Sequence, residues 1–179
     1  MSRTIRLFTL PLLVLGFSFV WAGVVTAQSS DTLTNEQVER VRVNCTSIKS
    51  AVNQLHASDG LLRVNRGQMY VSMASSLMDR FNDRLGSNSL DNKAMTAVTS
   101  SYRSAFTTFY DDYIKYERKL SEALRIDCND KPREFFQALQ EARTLRATVH
   151  EDVKKLHQYI DDYRSSVNSF LTNYERLSN

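Results

Sequence analysis

Apolar side chains recur along this chain in steps of alternately three and four residues, the spacing that keeps one face of a helix against a neighbour. The pattern is clearest after Phe135, where it runs Leu139, Ala142, Val149, Val153, Leu156, Ile160, Tyr163, Val167, Phe170, Tyr174 and Leu177, with Arg146 in its one charged slot. Asp130-Lys131-Pro132 marks the start, since proline suits the first helical turn. An earlier segment keeps the same rhythm through Val38, Val41, Cys45, Ile48, Val52, Leu55, Asp59, Leu62, Arg66, Met69 and Met73. Thr34 with Gln37 three residues on forms the sequence signature of a capping box. Between them lies a third run: Met95, Val98, Tyr102, Phe106, Phe109, Tyr113, Tyr116, Leu120 and Ala123, with one four-four step at Tyr102.

Three helices are therefore predicted, at about residues 35–85, 91–126 and 132–177. The first passes Gly60 and Gly67 without losing phase, so it is read as continuous, with a break at Ser58-Asp59-Gly60 as the alternative. Gly86-Ser87-Asn88-Ser89 reads as its C-cap and loop. Beyond residue 27 the chain holds a single proline, Pro132, and three glycines, too few turn formers for a fold of many short strands. The expected fold is all-α: an elongated, antiparallel, coiled-coil-like three-helix bundle, one domain over residues 34–179.

Ahead of it stands a different segment. Arg3 and Arg6 precede an apolar run from Leu7 to Val20, and Val25-Thr26-Ala27 offers small or β-branched residues at a cleavage site. This is the layout of a secretory signal peptide over residues 1–27, with 28–33 a flexible N-terminus; an uncleaved membrane anchor is the alternative and the chain's one route to a membrane. Without that segment the chain keeps 21 basic and 20 acidic residues, a net charge of +1 with no basic cluster, so nucleic acid is not an expected partner.

Export changes the reading of the two cysteines. In an oxidising compartment an isolated distant pair forms a structural disulfide, Cys45–Cys128. Each lies about 41 residues from the turn near Gly86–Asn88, roughly 60 Å of helix, so the bridge would close the open end of a hairpin. Counting from that bridge places Asp59 and Arg146 in one layer, with Tyr113 or Tyr116 as third partner and Arg66 nearby. The layer either fixes helix register or, with Arg143 added, binds a small anion or carboxylate.

No other constellation carries chemistry. His56, His150 and His157 lie at heights unsuited to one metal ion. Asp111-Asp112 and Asp161-Asp162 read as solvated faces rather than an acid–base pair. Asn44-Cys45-Thr46 fits a glycosylation acceptor, but a bridged cysteine on a helix makes that a coincidence. No cofactor and no enzymatic activity are expected. Met69, Met73, Met78, Phe81 and Met95 near the turn form the one candidate surface for apolar clients, as a periplasmic or extracellular chaperone or sensor would need.

Asn65-Arg66-Gly67-Gln68-Met69-Tyr70, Phe81-Asn82-Asp83-Arg84, and Asp127-Cys128 leading through Pro132 to Phe135-Phe136 and Ala142-Arg143-x-x-Arg146 together resemble small secreted helical proteins of candidate-phylum bacteria such as Saccharibacteria. Phe136 stands where that pattern has tyrosine. The resemblance implies a bacterial envelope or secreted location, the disulfide and the helical fold, and no activity. The functional expectation is an exported structural or interaction protein, self-associating or bound to another protein.

Overall fold

The computed structural model describes residues 33–178, and every regular element among them is helical. In chain order these are α1 (Asn35–Val43), α2 (Cys45–Ser72), a π-helical stretch (Met73–Met78), α3 (Asp79–Ser87), α4 (Lys93–Arg125) and α5 (Pro132–Ser178). The leader expected over residues 1–27 and most of the flexible stretch lie outside the described residues. No described helix is long and apolar enough to cross a membrane.

Each helix end has a local cause. At α1 the capping box is complete: Gln37 N donates to Thr34 Oγ1 (3.2 Å) and Thr34 N to Gln37 Oε1 (2.8 Å). The helix expected to run unbroken from residue 35 to 85 is instead interrupted twice. Asn44 departs from helical geometry (φ −100°, ψ 10°), and its amide Nδ2 donates to Arg40 O at 2.8 Å, an asparagine competing with the backbone ladder. The second interruption is the π-helical stretch, where Asp79 N donates to Ala74 O, five residues back. No break occurs at Gly60; α2 runs through it and Gly67.

At the end of α3 the left-handed residue is Ser89 (φ 57°), not Gly86. Leu90 N donates to Leu85 O (2.9 Å) and Ser89 N to Gly86 O (3.0 Å), the two bonds of a Schellman motif, and Leu85 and Leu90 meet in the core. Gly86 serves a different need. A Cβ there would lie 3.3 Å from Asn92 Nδ2, the group that donates to Asn82 O at 2.8 Å.

α4 and α5 share by far the most extensive contact, and the short 126–131 connection sets them antiparallel. Tyr102, Phe135, Met78, Leu156 and Cys128 are the largest fully buried side chains, and each of the large apolar ones stabilises by about 1.5–3 kcal/mol. On α4 the buried face is Met95, Thr99, Tyr102, Ala105, Phe109, Tyr113, Tyr116, Leu120 and Ala123. It matches the expected face except that Thr99 and Ala105 turn fully inward, leaving Val98 and Phe106 partly buried.

α2 differs. Between Cys45 and Tyr70 no residue is fully buried. The expected positions Leu62, Arg66 and Met69 are exposed, while Arg63, Gly67 and Tyr70 turn inward, so the face slips by one residue after Asp59. From Asp59 to Tyr70 is eleven residues, the repeat of a helix that keeps nearly 3.7 residues per turn instead of supercoiling on a 3.5 repeat.

The start of α2 is nevertheless anchored. Cys45 and Cys128 form the disulfide (Cα–Cα 5.6 Å) and pack with Phe135, Val41, Ile48 and Ile126. Arg42 Nε donates to Asn129 O at 3.1 Å, and Arg133 of α5 donates to Leu33 O and Asn35 Oδ1.

Candidate functional site

Because α2 is buried only near its ends, a cleft of about 440 Å³ opens between its middle and helices α4 and α5. Its floor includes Phe109, Tyr113, Val149 and Val153. Four arginines border it, Arg63 and Arg66 from α2 and Arg143 and Arg146 from α5, each pair three residues apart on its helix. His150 completes the α5 side.

The polar layer sits in this cleft. Asp59 Oδ2 accepts from Tyr116 Oη at 2.7 Å and from Arg146 Nε at 3.2 Å. The bond uses Nε, so it is not the bidentate fork contact that makes an arginine–carboxylate pair strongest. The Asp59 side chain is only 12% exposed and that of Arg146 is 53% exposed. Burial, then the hydrogen bond to Asp59, pushes the Tyr116 phenol well above its ordinary range. Tyr113 stands apart from the carboxylate as a stacking surface, with the Arg63 guanidinium 5.2 Å from its ring centre. Arg66 and Arg143 are exposed and form no salt bridge among the described residues.

The five residues expected as a client surface do not form one. Met78 and Met95 are fully buried, Met73 and Phe81 pack partly buried against the same core, and only Met69 is exposed, at 57%. Phe81 meets Phe170 edge-on. The slip of phase after Asp59 explains the division: it turns Met69 outward and brings Ala74 and Met78 under α4 and α5.

The structure also assembles two clusters that spacing alone did not reveal. His56 Nε2 lies 3.1 Å from Glu117 Oε1 and 3.3 Å from Ser121 Oγ. A serine, a histidine and a carboxylate meet there, but both contacts fall on the same ring nitrogen, whereas a proton relay needs one on each. His157 faces the Tyr70 hydroxyl at 3.3 Å and His150 faces the cleft, so the three histidines have three separate surroundings. No group of three or more His, Cys, Asp or Glu close enough to hold a metal ion occurs among the described residues.

The second cluster pairs Asp152 of α5 with Asp112 of α4. Asp152 Oδ2 is buried without a hydrogen-bond partner, while Asp112 is engaged by Lys115 at 2.7 Å. Burial first, and the Asp112 charge second, hold the Asp152 carboxyl above its ordinary range. A raised folded-state value means that the folded protein binds protons more readily than the unfolded chain, so stability falls as pH rises through it. Asp152→Asn should therefore raise the melting midpoint at pH 7. The gain should vanish below roughly pH 3, under the unfolded aspartate value of about 3.9. Thermal melts of both proteins across pH check this; a gain that persists at low pH would assign it to something other than charge.

Comparison of the chain with protein-family models, with curated proteins and with solved structures finds no match.

Proposed function

We propose that this chain is a non-enzymatic, exported interaction protein of the bacterial envelope or extracellular space. In this reading α1 through α3, α4 and α5 act as the three strands of one antiparallel bundle, closed at one end by Cys45–Cys128. A disulfide is at home in an oxidising compartment, and the resemblance to small secreted bacterial proteins points the same way. Stapled helices of this length make a stiff support, with α5 alone spanning about 70 Å at 1.5 Å per residue.

The observation that carries the reading is the apolar surface left on the outer side of α2. Leu61 is 70% exposed and Val64 and Val71 about half exposed, and exposed Tyr110 and Ile114 of α4 lie on the neighbouring helix. Val64, Gly67, Val71, Phe106 and Tyr110 line one groove between the two helices. A groove with an apolar lining and a glycine to admit close approach suits an amphipathic helix of a protein partner.

A photoreactive residue placed at Val64 in producing cells should yield one predominant protein adduct. The same residue at Lys154, on α5 and exposed, should not. Changing Val71 to Asp should reduce the Val64 adduct about tenfold, the effect of roughly 1.4 kcal/mol of lost affinity. Equal adduct patterns from both positions would overturn the reading.

A further inference from the structure

We propose that the arginine-bordered cleft between α2, α4 and α5 binds a single-tailed amphipathic anion, with its carboxylate or phosphate head among the arginines and its tail on the apolar floor. The cleft shares Arg63, Phe109 and Tyr113 with the outer groove, but its four arginines and apolar floor do not depend on the partner-binding reading.

Three observations converge on it. The cleft measures about 440 Å³, within the range of small-molecule sites, roughly 300–1,000 Å³. Its lining is divided by chemistry. Leu62, Phe109, Val149 and Val153 supply apolar wall and floor, while charge is confined to the two facing helices. That charge is unbalanced: Arg63, Arg66, Arg143 and Arg146 face the single carboxylate of Asp59, leaving three positive charges in excess. Asp59 already spends the same oxygen on Tyr116 and Arg146. Arginines three residues apart on one helix are surface neighbours and repel each other, and an anion between the two pairs would relieve both repulsions.

The head-group chemistry follows from guanidinium geometry. Its planar fork matches carboxylate and phosphate oxygens two at a time. Inorganic anions alone would leave the floor unused, and a neutral amphiphile would leave the arginines unused. Nucleic acid is a poor fit to a small apolar cleft in a chain with almost no net charge beyond its leader.

The test uses protein expressed from the full chain and purified oxidised, titrated separately with decanoate, decyl phosphate, decyl maltoside and inorganic phosphate below any micelle concentration. Binding is read by calorimetry and by NMR shifts of Ala147, Val149 and Val153. Decanoate, decyl phosphate or both should bind at least tenfold tighter than decyl maltoside or phosphate, and move those signals. A preference for decanoate assigns a free carboxylate as ligand; a preference for decyl phosphate assigns a phospholipid-type head. The variant Arg66→Gln with Arg143→Gln should lose roughly tenfold in affinity with a melting midpoint no lower than the parent's, since both side chains are exposed, form no salt bridge among the described residues, and each has a like-charged neighbour on its own helix. Leu62→Glu, a single change at a half-exposed wall position, should weaken binding comparably by placing an acid at the head group. Equal affinity for decyl maltoside, undiminished binding by these variants, or shifts confined to residues elsewhere would overturn the proposal.

Discussion

Replacing both Cys45 and Cys128 by alanine should lower the stability of the folded chain by about 4.5 kcal/mol, the chain-entropy value for a bridge that closes a loop of this length. For a domain of this size that corresponds to a fall of about 10–15 °C in melting midpoint. The effect should also be uneven along the chain. α4 and α5 hold each other through a continuous buried face, whereas α2 has no fully buried residue between Cys45 and Tyr70. What remains near the bridge without the disulfide is the packing of Val41 and Ile48 on Phe135, and the bonds from Arg42 and Arg133. Hydrogen exchange should accelerate most in residues 45–69 and least along α4 and the first half of α5. A midpoint loss under roughly 3 °C, or a uniform acceleration, would mean that packing rather than the bridge holds α2 in place. Since the cleft is bounded by this part of α2, its opening should widen in the same variant.

How much of this was legible in the sequence depended on what set each feature. Along α4 and α5 the hydrophobic period is imposed by long mutual burial, so the three-four rhythm read there names most of the buried residues. The disulfide was legible because Cys45 and Cys128 lie about equally far from the turn near Gly86–Asn88, so a folded-back hairpin brings them level. Asp59 and Arg146 could be placed at one level because α2 and α5 both start beside the bridge and rise equally per residue. In the middle of α2 the same rhythm misled. Few residues there are buried, so the apolar pattern is not pinned by packing, and a straight helix drifts off the heptad by about 20° every seven residues, which over the length of α2 amounts to most of one residue. That drift decides that Arg63 rather than Arg66 stacks on Tyr113, and that Met69 faces water. Asp152 escaped notice for a related reason: it lies beside Val153 at the edge of the buried face, where a sequence pattern cannot separate a solvated carboxylate from one shut against Asp112. The meeting of His56, Glu117 and Ser121 depends on the rotation of α2 about its axis, which pattern does not fix.

The π-helical stretch was not legible either, since Met73–Met78 contains no proline or glycine, and the contacts that bracket it come from other helices. Tyr102 donates to Tyr70 O at 3.0 Å, just before the stretch, and Tyr163 donates to Met78 O at 3.1 Å, at its end. A wider turn displaces backbone carbonyls from the α-helical ladder, and two buried hydroxyls meet them. Tyr163 also donates to Asn82 Oδ1 (2.9 Å), Asn82 Nδ2 donates to Thr99 Oγ1 (2.9 Å), and Thr99 Oγ1 to Met95 O (2.8 Å), so the stretch is tied through one chain of bonds to both α4 and α5. Burial, with a smaller contribution from Asp79, pushes the Tyr163 phenol up to about 12, so it remains a donor throughout the neutral range. Changing Tyr102 and Tyr163 together to phenylalanine keeps the rings and their packing but strands the acceptors. Each buried group left without a partner costs about 1–3 kcal/mol, so the double variant should lose roughly 2–6 kcal/mol, about 5–20 °C in midpoint. If the hydroxyls also hold the wider turn open, amide exchange in residues 73–79 should rise well above that of α5. A double variant as stable as the parent would show that the π-helical stretch is set by the packing of Ala74 and Met78 alone, with the two hydroxyls merely accommodated by it.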